Sequence, residues 1–179
     1  MPRVIGLGHV GLYVRDLERM VGFYRDVMGM QVTKQNWRAG TVFLSADPQA
    51  ADHQIALVRG RPPRVPGVEE PKLIQQISFR CAALDDVRQF HRRLVGAGYG
   101  IQRVVNHASA IGCYFYDPEG NCAEVFWVTG RESWVPVSIP IDLEQSDDVI
   151  LAEVDRLHQR VRDVGLGERM PQEPPTLQF

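Results

Sequence analysis

The sequence predicts an α+β fold made of two βαβββ modules, followed by a helical extension. Three observations carry that prediction. First, the chain resembles itself at an offset of 67 residues, which sets His9 on Gln76 and Gly29 on Gly96. Self-similarity of this length marks a duplicated structural unit. Second, each half opens on an apolar stretch with strand character and continues into apolar positions at helical spacing. Third, the second half closes on a hairpin whose two strands flank the turn Asp117-Pro118-Glu119-Gly120-Asn121. The modules are expected to cover about 1–60 and 72–128, as one domain over 1–128. Their sheets are expected to curl into a partly closed mixed β-barrel around a cleft. Residues 129–179 form a separate arm, helix and tail.

Composition narrows the class. The chain has 179 residues, 44% hydrophobic and 23% charged, with net charge −2. That length suits one domain with a sizeable core, or two small modules sharing one. A charge near zero argues against nucleic acid as the main partner, because phosphate binding draws on a basic surface. No apolar run reaches the length of a membrane span, and the N-terminus has no signal-peptide pattern. The three cysteines, Cys81, Cys113 and Cys122, form no CxxC pair. An odd number of thiols fits a reducing cytoplasm, which is the expected location.

Taken in order, Val4 to Val14 is the first strand, with His9 at its centre. Asp16 caps a helix running to about Met28, with its apolar stripe on Leu17, Met20, Val21, Phe23, Tyr24 and Val27. Gly29 stops it. Gln31–Gln35, Thr41–Ser45 and Asp52–Arg59 are strands. Residues 60–72 are rich in Pro and Gly and read as a loop. The second module then repeats the strand, helix and helix stop: Val10 falls on Ile77, Leu17 on Leu84 and Phe23 on Phe90. The arginine-rich segment 88–93 reads as a solvated helix face, and His91 and His158 as solvated surface groups.

The hairpin has polar groups in unusual places. Gly112–Tyr116 and Ala123–Val128 are its strands. In the turn, Pro presets φ early and Gly or Asn takes the left-handed position. Alternation puts Glu124, Phe126 and Val128 on one face. A carboxylate in such a strand is costly to bury unless something pairs with it. Beyond the hairpin, Trp134, Pro136 and Pro140 indicate an extended arm. A helix from about Ser146 to Val164 carries the stripe Ile150, Val154, Leu157 and Val161, with Gly165 as its stop. An exposed stripe of that size is a liability, so it is expected to pack on its own chain or on a second subunit.

The duplicated unit, His9 in the first strand and the hairpin YFYDPEGNCAEVF together resemble the vicinal oxygen chelate superfamily. That family includes glyoxalase I, fosfomycin- and bleomycin-resistance proteins and extradiol ring-cleaving dioxygenases. The resemblance covers about 4–128. It implies metal ligands at His9, Gln76 and Glu124. Within the family the extradiol dioxygenases are the most similar in pattern. The segment HQIALV is similar to their acid–base strand and implies His53 as the catalytic histidine. Tyr114, ten residues before Glu124, and His107, seven before Tyr114, occupy two further positions of that pattern.

The chain departs from the extradiol pattern at Gln76, where that subfamily has histidine. Glyoxalase I enzymes do use glutamine at a first-strand ligand position. The resemblance therefore implies three functional classes. The first is an extradiol-type dioxygenase acting on a catechol-like aromatic, with Fe(II) as the preferred divalent metal and Mn, Zn or Ni as alternatives. The second is a glyoxalase- or epimerase-like metal enzyme. The third is a metal-free small-molecule-binding module similar to the bleomycin-resistance proteins. A small-molecule substrate, an aromatic diol in the first class, is the expected partner, and a homo-oligomer the expected assembly.

Overall fold

The computed structural model describes residues 4, 6–70, 74–131, 133 and 136–163. Its strands fall into two sheets, one for each copy of the repeat. The first contains β1 (Val10–Val14), β2 (Gln31–Asn36), β3 (Thr41–Ser45) and β4 (Ile55–Arg59), in the spatial order β1-β4-β3-β2. The second contains β5 (Ile77–Arg80), β6 (Ile101–Asn106), β7 (Ala110–Tyr116) and β8 (Cys122–Val128) in the same order, β5-β8-β7-β6, with β9 (Ile139–Pro140) beyond β6. In each module the first strand lies beside the last, and the shared order is what a duplication produces. The α+β class and the two βαβββ modules are as predicted, with sheets of four and five strands among the described residues. Two compact units carry them. The first runs up to Ile77 and takes in Arg93–Gly100 and Tyr116–Ala123; the second holds Ser78–Arg92, Ile101–Phe115 and the chain from Glu124. No helix among the described residues is long and apolar enough to cross a membrane.

In the first unit, β1 buries Leu12 and Val14 and exposes Gly11 and Tyr13, the alternation of a half-buried strand. It begins at Val10, not at Val4. Its ladder to β4 is parallel and starts at Val10↔Ile55, and the glycines at 6 and 8 upstream are poor strand formers. His9 therefore stands immediately before the strand instead of at its centre. Asp16 caps α1 (Leu17–Gly22) by accepting the Arg19 N–H at 2.9 Å. The predicted single helix then widens into a π-helical stretch, Phe23–Val27, closed by Met28 N–H to Phe23 C=O at 3.1 Å. The wider turn lets the adjacent Phe23 and Tyr24 both face inward, at 2% and 0% exposure. Gly29, at φ 74°, ends it in the left-handed region.

The 117–121 turn is more than a reversal. Asp117 accepts the N–H groups of Glu119 and Asn121, each at 2.9 Å, the Asn121 amide at 2.7 Å and the Tyr24 hydroxyl at 3.4 Å. Burial, then the neighbouring Glu119 charge, pushes the Asp117 carboxyl up against the downward pull of those Asn121 and Glu119 hydrogen bonds. Glu119 is buried and accepts the Arg15 and Asp16 N–H groups at 2.5 and 2.9 Å, with the Arg61 guanidinium at 3.4 Å. Two inward carboxylates thus lock the turn within the first unit.

In the second unit, β9 pairs antiparallel with β6, Val105↔Pro140 and Asn106↔Ile139, and so covers a sheet edge that would otherwise be open. α3 (Asp147–Asp163) buries Ile150, Val154, Leu157 and Val161, the stripe read from its spacing. Segment 88–93 of α2 (Leu84–Gly96) is not a wholly solvated face. Arg88 is buried and donates to the carbonyls of Leu143 and Gln145, both at 2.8 Å, and pairs with Asp147; Arg92 pairs with Glu144 at 2.7 Å. The arginines clamp the loop that leads into α3. His91 and His158 are half-buried, each with a buried Nδ1, so neither is a fully solvated group. Trp134, the Val164 helix end, the Gly165 stop and the tail lie outside the described residues.

Candidate functional site

Each unit carries its own cluster of the residues singled out by sequence. In the first, the parallel register of β1 and β4 sets the residues just before them side by side, and Val10 N–H bonds Gln54 C=O at 3.0 Å. The His9 and His53 rings consequently lie 4.4 Å apart between centroids, tilted by 43°. Phe43 of β3 packs edge-on against His53 at 4.8 Å. His53 Nδ1 lies 2.7 Å from a carboxylate oxygen of Asp52. Hydrogen bonds from Lys34, at 2.8 Å, and from His53 hold the Asp52 carboxyl below the usual carboxylate range. An ionised carboxylate only accepts, so Nδ1 is the donor and Nε2 is the lone-pair nitrogen of the neutral ring. In that tautomer His53 presents Nε2 as its hydrogen-bond acceptor. Asp52 was missed by sequence reading, although its position next to His53 was a usable signal.

In the second unit, Glu124 lies in the middle of β8 at 5% exposure. Ser78 of β5 donates to it at 2.6 Å. Its carboxylate lies over Gly112 of β7, where a Cβ would collide with it. Only glycine leaves that space, so the close approach of backbone and carboxylate is built into the hairpin. Burial, then the Glu124 charge and Cys81, pushes the adjacent Cys113 thiol up to about 12. Ser78 follows Gln76 by two residues, so it shares a strand face with that position, a signal that could have found it.

His107 and Tyr114 form the other half of this cluster. His107 Nε2 lies 3.0 Å from the Tyr114 hydroxyl, and Nδ1 lies 2.6 Å from the Val137 carbonyl. The Arg103 guanidinium sits over the Tyr114 ring, 4.1 Å from its centroid, a cation–π contact. Arg103 and Val137 were not found by sequence reading, and a backbone carbonyl leaves no residue-type signal to find.

Gln76 stands immediately before β5 as His9 stands before β1, half-buried. The structure therefore pairs His9 with His53, Glu124 with Ser78 and His107 with Tyr114. Among the described residues no three His, Cys, Asp or Glu side chains form a group that could hold a metal. The candidate ligands His9, Gln76 and Glu124 include only two of those types. By type alone, an imidazole, a carboxylate and an amide oxygen are donors of the kind that suit manganese or iron, and within the second unit the Gly112 cradle gives the Glu124 carboxylate a fixed place.

Comparison with known proteins places these observations. Catechol-2,3-dioxygenase of Bacillus subtilis (strain 168) is 26% identical over 137 residues, covering 72% of this chain and 43% of that protein. The manganese-dependent 2,3-dihydroxybiphenyl 1,2-dioxygenase of Geobacillus genomosp. 3 is 28% identical over 95 residues, covering 53% and 27%. The chain thus spans less than half the length of these curated relatives. Among solved structures, a genomically encoded fosfomycin resistance protein from Listeria monocytogenes superposes with a TM-score of 0.55 at 17% identity, covering 72% of this chain and 97% of that one, which shows the shared fold. The model of the Glyoxalase/Bleomycin resistance protein/Dioxygenase superfamily matches residues 6–125, which reach from before β1 into β8, and the chain belongs to that superfamily.

Proposed function

We propose that the chain is a metal-dependent extradiol-type dioxygenase that cleaves the ring of a catechol-like aromatic. The observation that carries this reading is the His9–His53 pair. A histidine at the family's ligand position lies 4.4 Å from a second histidine whose Nδ1 is engaged by Asp52, which leaves Nε2 as the lone-pair nitrogen of the neutral ring. The two curated relatives, both dioxygenases by name, support the same class.

The residues proposed to hold a divalent metal are His9, Glu124 and Gln76, with Fe(II) favoured and manganese the first alternative. When bound, the metal supplies Lewis acidity toward the two substrate oxygens. The chain's own residues do the rest. His53 Nε2 takes a proton from a substrate hydroxyl and returns it as acid. Asp52 holds that ring in one orientation. Tyr114 hydrogen-bonds a substrate oxygen, and His107 holds the Tyr114 hydroxyl in place for it. The free thiols Cys81, Cys113 and Cys122 support a cytoplasmic location, and the family scaffold supports a homo-oligomer.

A second reading is favoured by Gln76. A glyoxalase- or epimerase-like enzyme would use glutamine as its proper ligand and would consume no oxygen. The test is metal content after anaerobic purification, with oxygen uptake over a panel of catechols. The dioxygenase reading expects bound iron or manganese and oxygen-dependent ring cleavage. It also expects His53→Ala to lower turnover by about 10²–10⁴-fold while leaving the metal in place. Bound metal with no oxygen uptake on any catechol would transfer the assignment to the glyoxalase-like class.

A further inference from the structure

We infer that the C-terminal extension is a working part of the His107–Tyr114 pair: its Val137 carbonyl sets the tautomer of His107 and with it the direction of the Tyr114 hydrogen bond. A carbonyl oxygen can only accept, so the contact at 2.6 Å requires His107 Nδ1 to carry the proton. In the neutral ring Nε2 is then the acceptor, and the Tyr114 hydroxyl at 3.0 Å donates to it. With its proton committed to His107, the Tyr114 oxygen acts toward any other group as an acceptor. That polarity suits a substrate hydroxyl and disfavours a ligand that presents only acceptors. The Nδ1–H form is the minor tautomer of free histidine, so it must be imposed from outside the ring.

The surroundings are built to impose it. Ala108, directly after His107, has φ 62°, the one non-glycine residue in the left-handed region among the described residues. Such a backbone persists only where its neighbours over-determine it. Here the buried Asn106 side chain accepts the Ala108 N–H at 2.8 Å, and the buried Thr129 hydroxyl donates to the Ala108 carbonyl at 2.6 Å. Ala108 itself is wholly buried in a cluster with Leu157 and Val161 of α3, and Val137 packs against that same cluster. Arg131, just beyond β8, hydrogen-bonds Thr129 and pairs with Asp155 of α3 at 2.7 Å. One packed knot thus holds both the strained corner that aims His107 and the carbonyl that fixes its proton.

The role in turnover rests on the dioxygenase reading, but the tautomer does not, and the experiment separates them. Ring nitrogens of the intact 179-residue chain are observed by two-bond ¹H–¹⁵N correlation, with His107→Gln used to assign the His107 signals. The expected result is an Nδ1–H pattern for His107 in the neutral ring, retained in Tyr114→Phe because the proton is held from the Val137 side. Thr129→Val and Val161→Ala, both confirmed as folded by circular dichroism, are expected to shift His107 toward the Nε2–H form. An Nε2–H pattern in the wild type overturns the inference. So does an Nδ1–H pattern that is lost in Tyr114→Phe or unmoved in both knot variants. Absence of catechol cleavage, with the tautomer pattern as expected, counts against the proposed reaction alone.

Discussion

Glu124 lies directly over Gly112, and no side chain fits between them. A Cβ built at position 112 meets the carboxylate at once and comes within 3.2 Å of the Tyr114 ring. The strand pair has therefore given up a side chain on β7 to seat a carboxylate from β8.

This relationship predicts the effect of Gly112→Ala. The added methyl must move the Glu124 carboxylate or the Tyr114 ring. Overpacking of this kind costs about 1–3 kcal/mol, so the melting temperature should fall by several degrees. Metal retention should fall with it, because the carboxylate leaves its seat. Ser78→Ala removes a hydrogen bond to the same carboxylate without adding bulk. It should cost less in stability and shift metal affinity in the same direction. Thermal melting and metal analysis of both variants check the pair, and unchanged metal retention in Gly112→Ala would detach the cradle from ligation.

Asp52→Asn addresses the orientation of His53. An amide can satisfy Nδ1 either as donor or as acceptor, so it no longer selects the tautomer. Removing such an orienting partner typically costs about 10–100-fold in activity. Asp52 is exposed and also bonded to Lys34, which places the expected loss near the lower end. The loss should appear in kcat, with KM and metal content nearly unchanged, and Asp52→Glu should restore part of it. A matching loss in the Lys34→Ala variant would show that the ion pair, not the His53 contact, matters.

Buried thiols set an alkaline limit on stability. Burial, then Asp86, pushes Cys81 up to about 11; burial, then Glu124 and Cys81, pushes Cys113 up to about 12, from an ordinary value of 9.0. The folded chain thus holds these protons more tightly than the unfolded chain. The resulting stability is fully present below about pH 9 and is lost as pH rises through about 11 to 12. The urea midpoint should therefore fall steadily above about pH 9. Cys113→Ala should flatten that fall while costing stability at neutral pH through the cavity it leaves. Under native conditions near about pH 8, thiol reagents should modify the half-buried Cys122 before the other two.

What could be read in advance divides by the range of the interaction. The Asp16 cap, the Gly29 stop and the α3 stripe depend on residues a few positions apart, and all were legible. That the two sheets share one strand order followed from the repeat. Glu119 was not legible as an anchor, because it serves the N–H groups of Arg15 and Asp16 more than a hundred positions earlier. Arg88 looked like surface because its partners are carbonyls of Leu143 and Gln145, which have no side-chain signature. The π-helical stretch broke the 3.6-residue spacing on which the helix reading relied. For the site residues, motif resemblance named His9, His53, His107 and Tyr114, while the groups that orient them, Asp52 and the Val137 carbonyl, came only from three dimensions.

The last prediction turns on Gln76, the one candidate ligand that departs from the extradiol pattern. Imidazole suits iron better than a neutral amide oxygen does. If the chain is a dioxygenase working with a weak third ligand, Gln76→His should raise iron affinity and oxygen-dependent cleavage together. A ligand exchange that gains ~1.4 kcal/mol corresponds to about tenfold in affinity. Glu124→Ala should remove both metal and activity, and Cys113, relieved of the neighbouring charge, should ionise more readily in the same variant. The glyoxalase-like reading expects the opposite at position 76: glutamine is already the fitting ligand, and Gln76→His should bring no gain in oxygen uptake. The binding-module reading expects no metal in the wild type, in Gln76→His or in Glu124→Ala. Anaerobic iron titration of the three proteins, followed by oxygen-electrode traces on the same samples, distinguishes all three. No bound metal in wild type or Gln76→His under iron excess would remove the dioxygenase assignment.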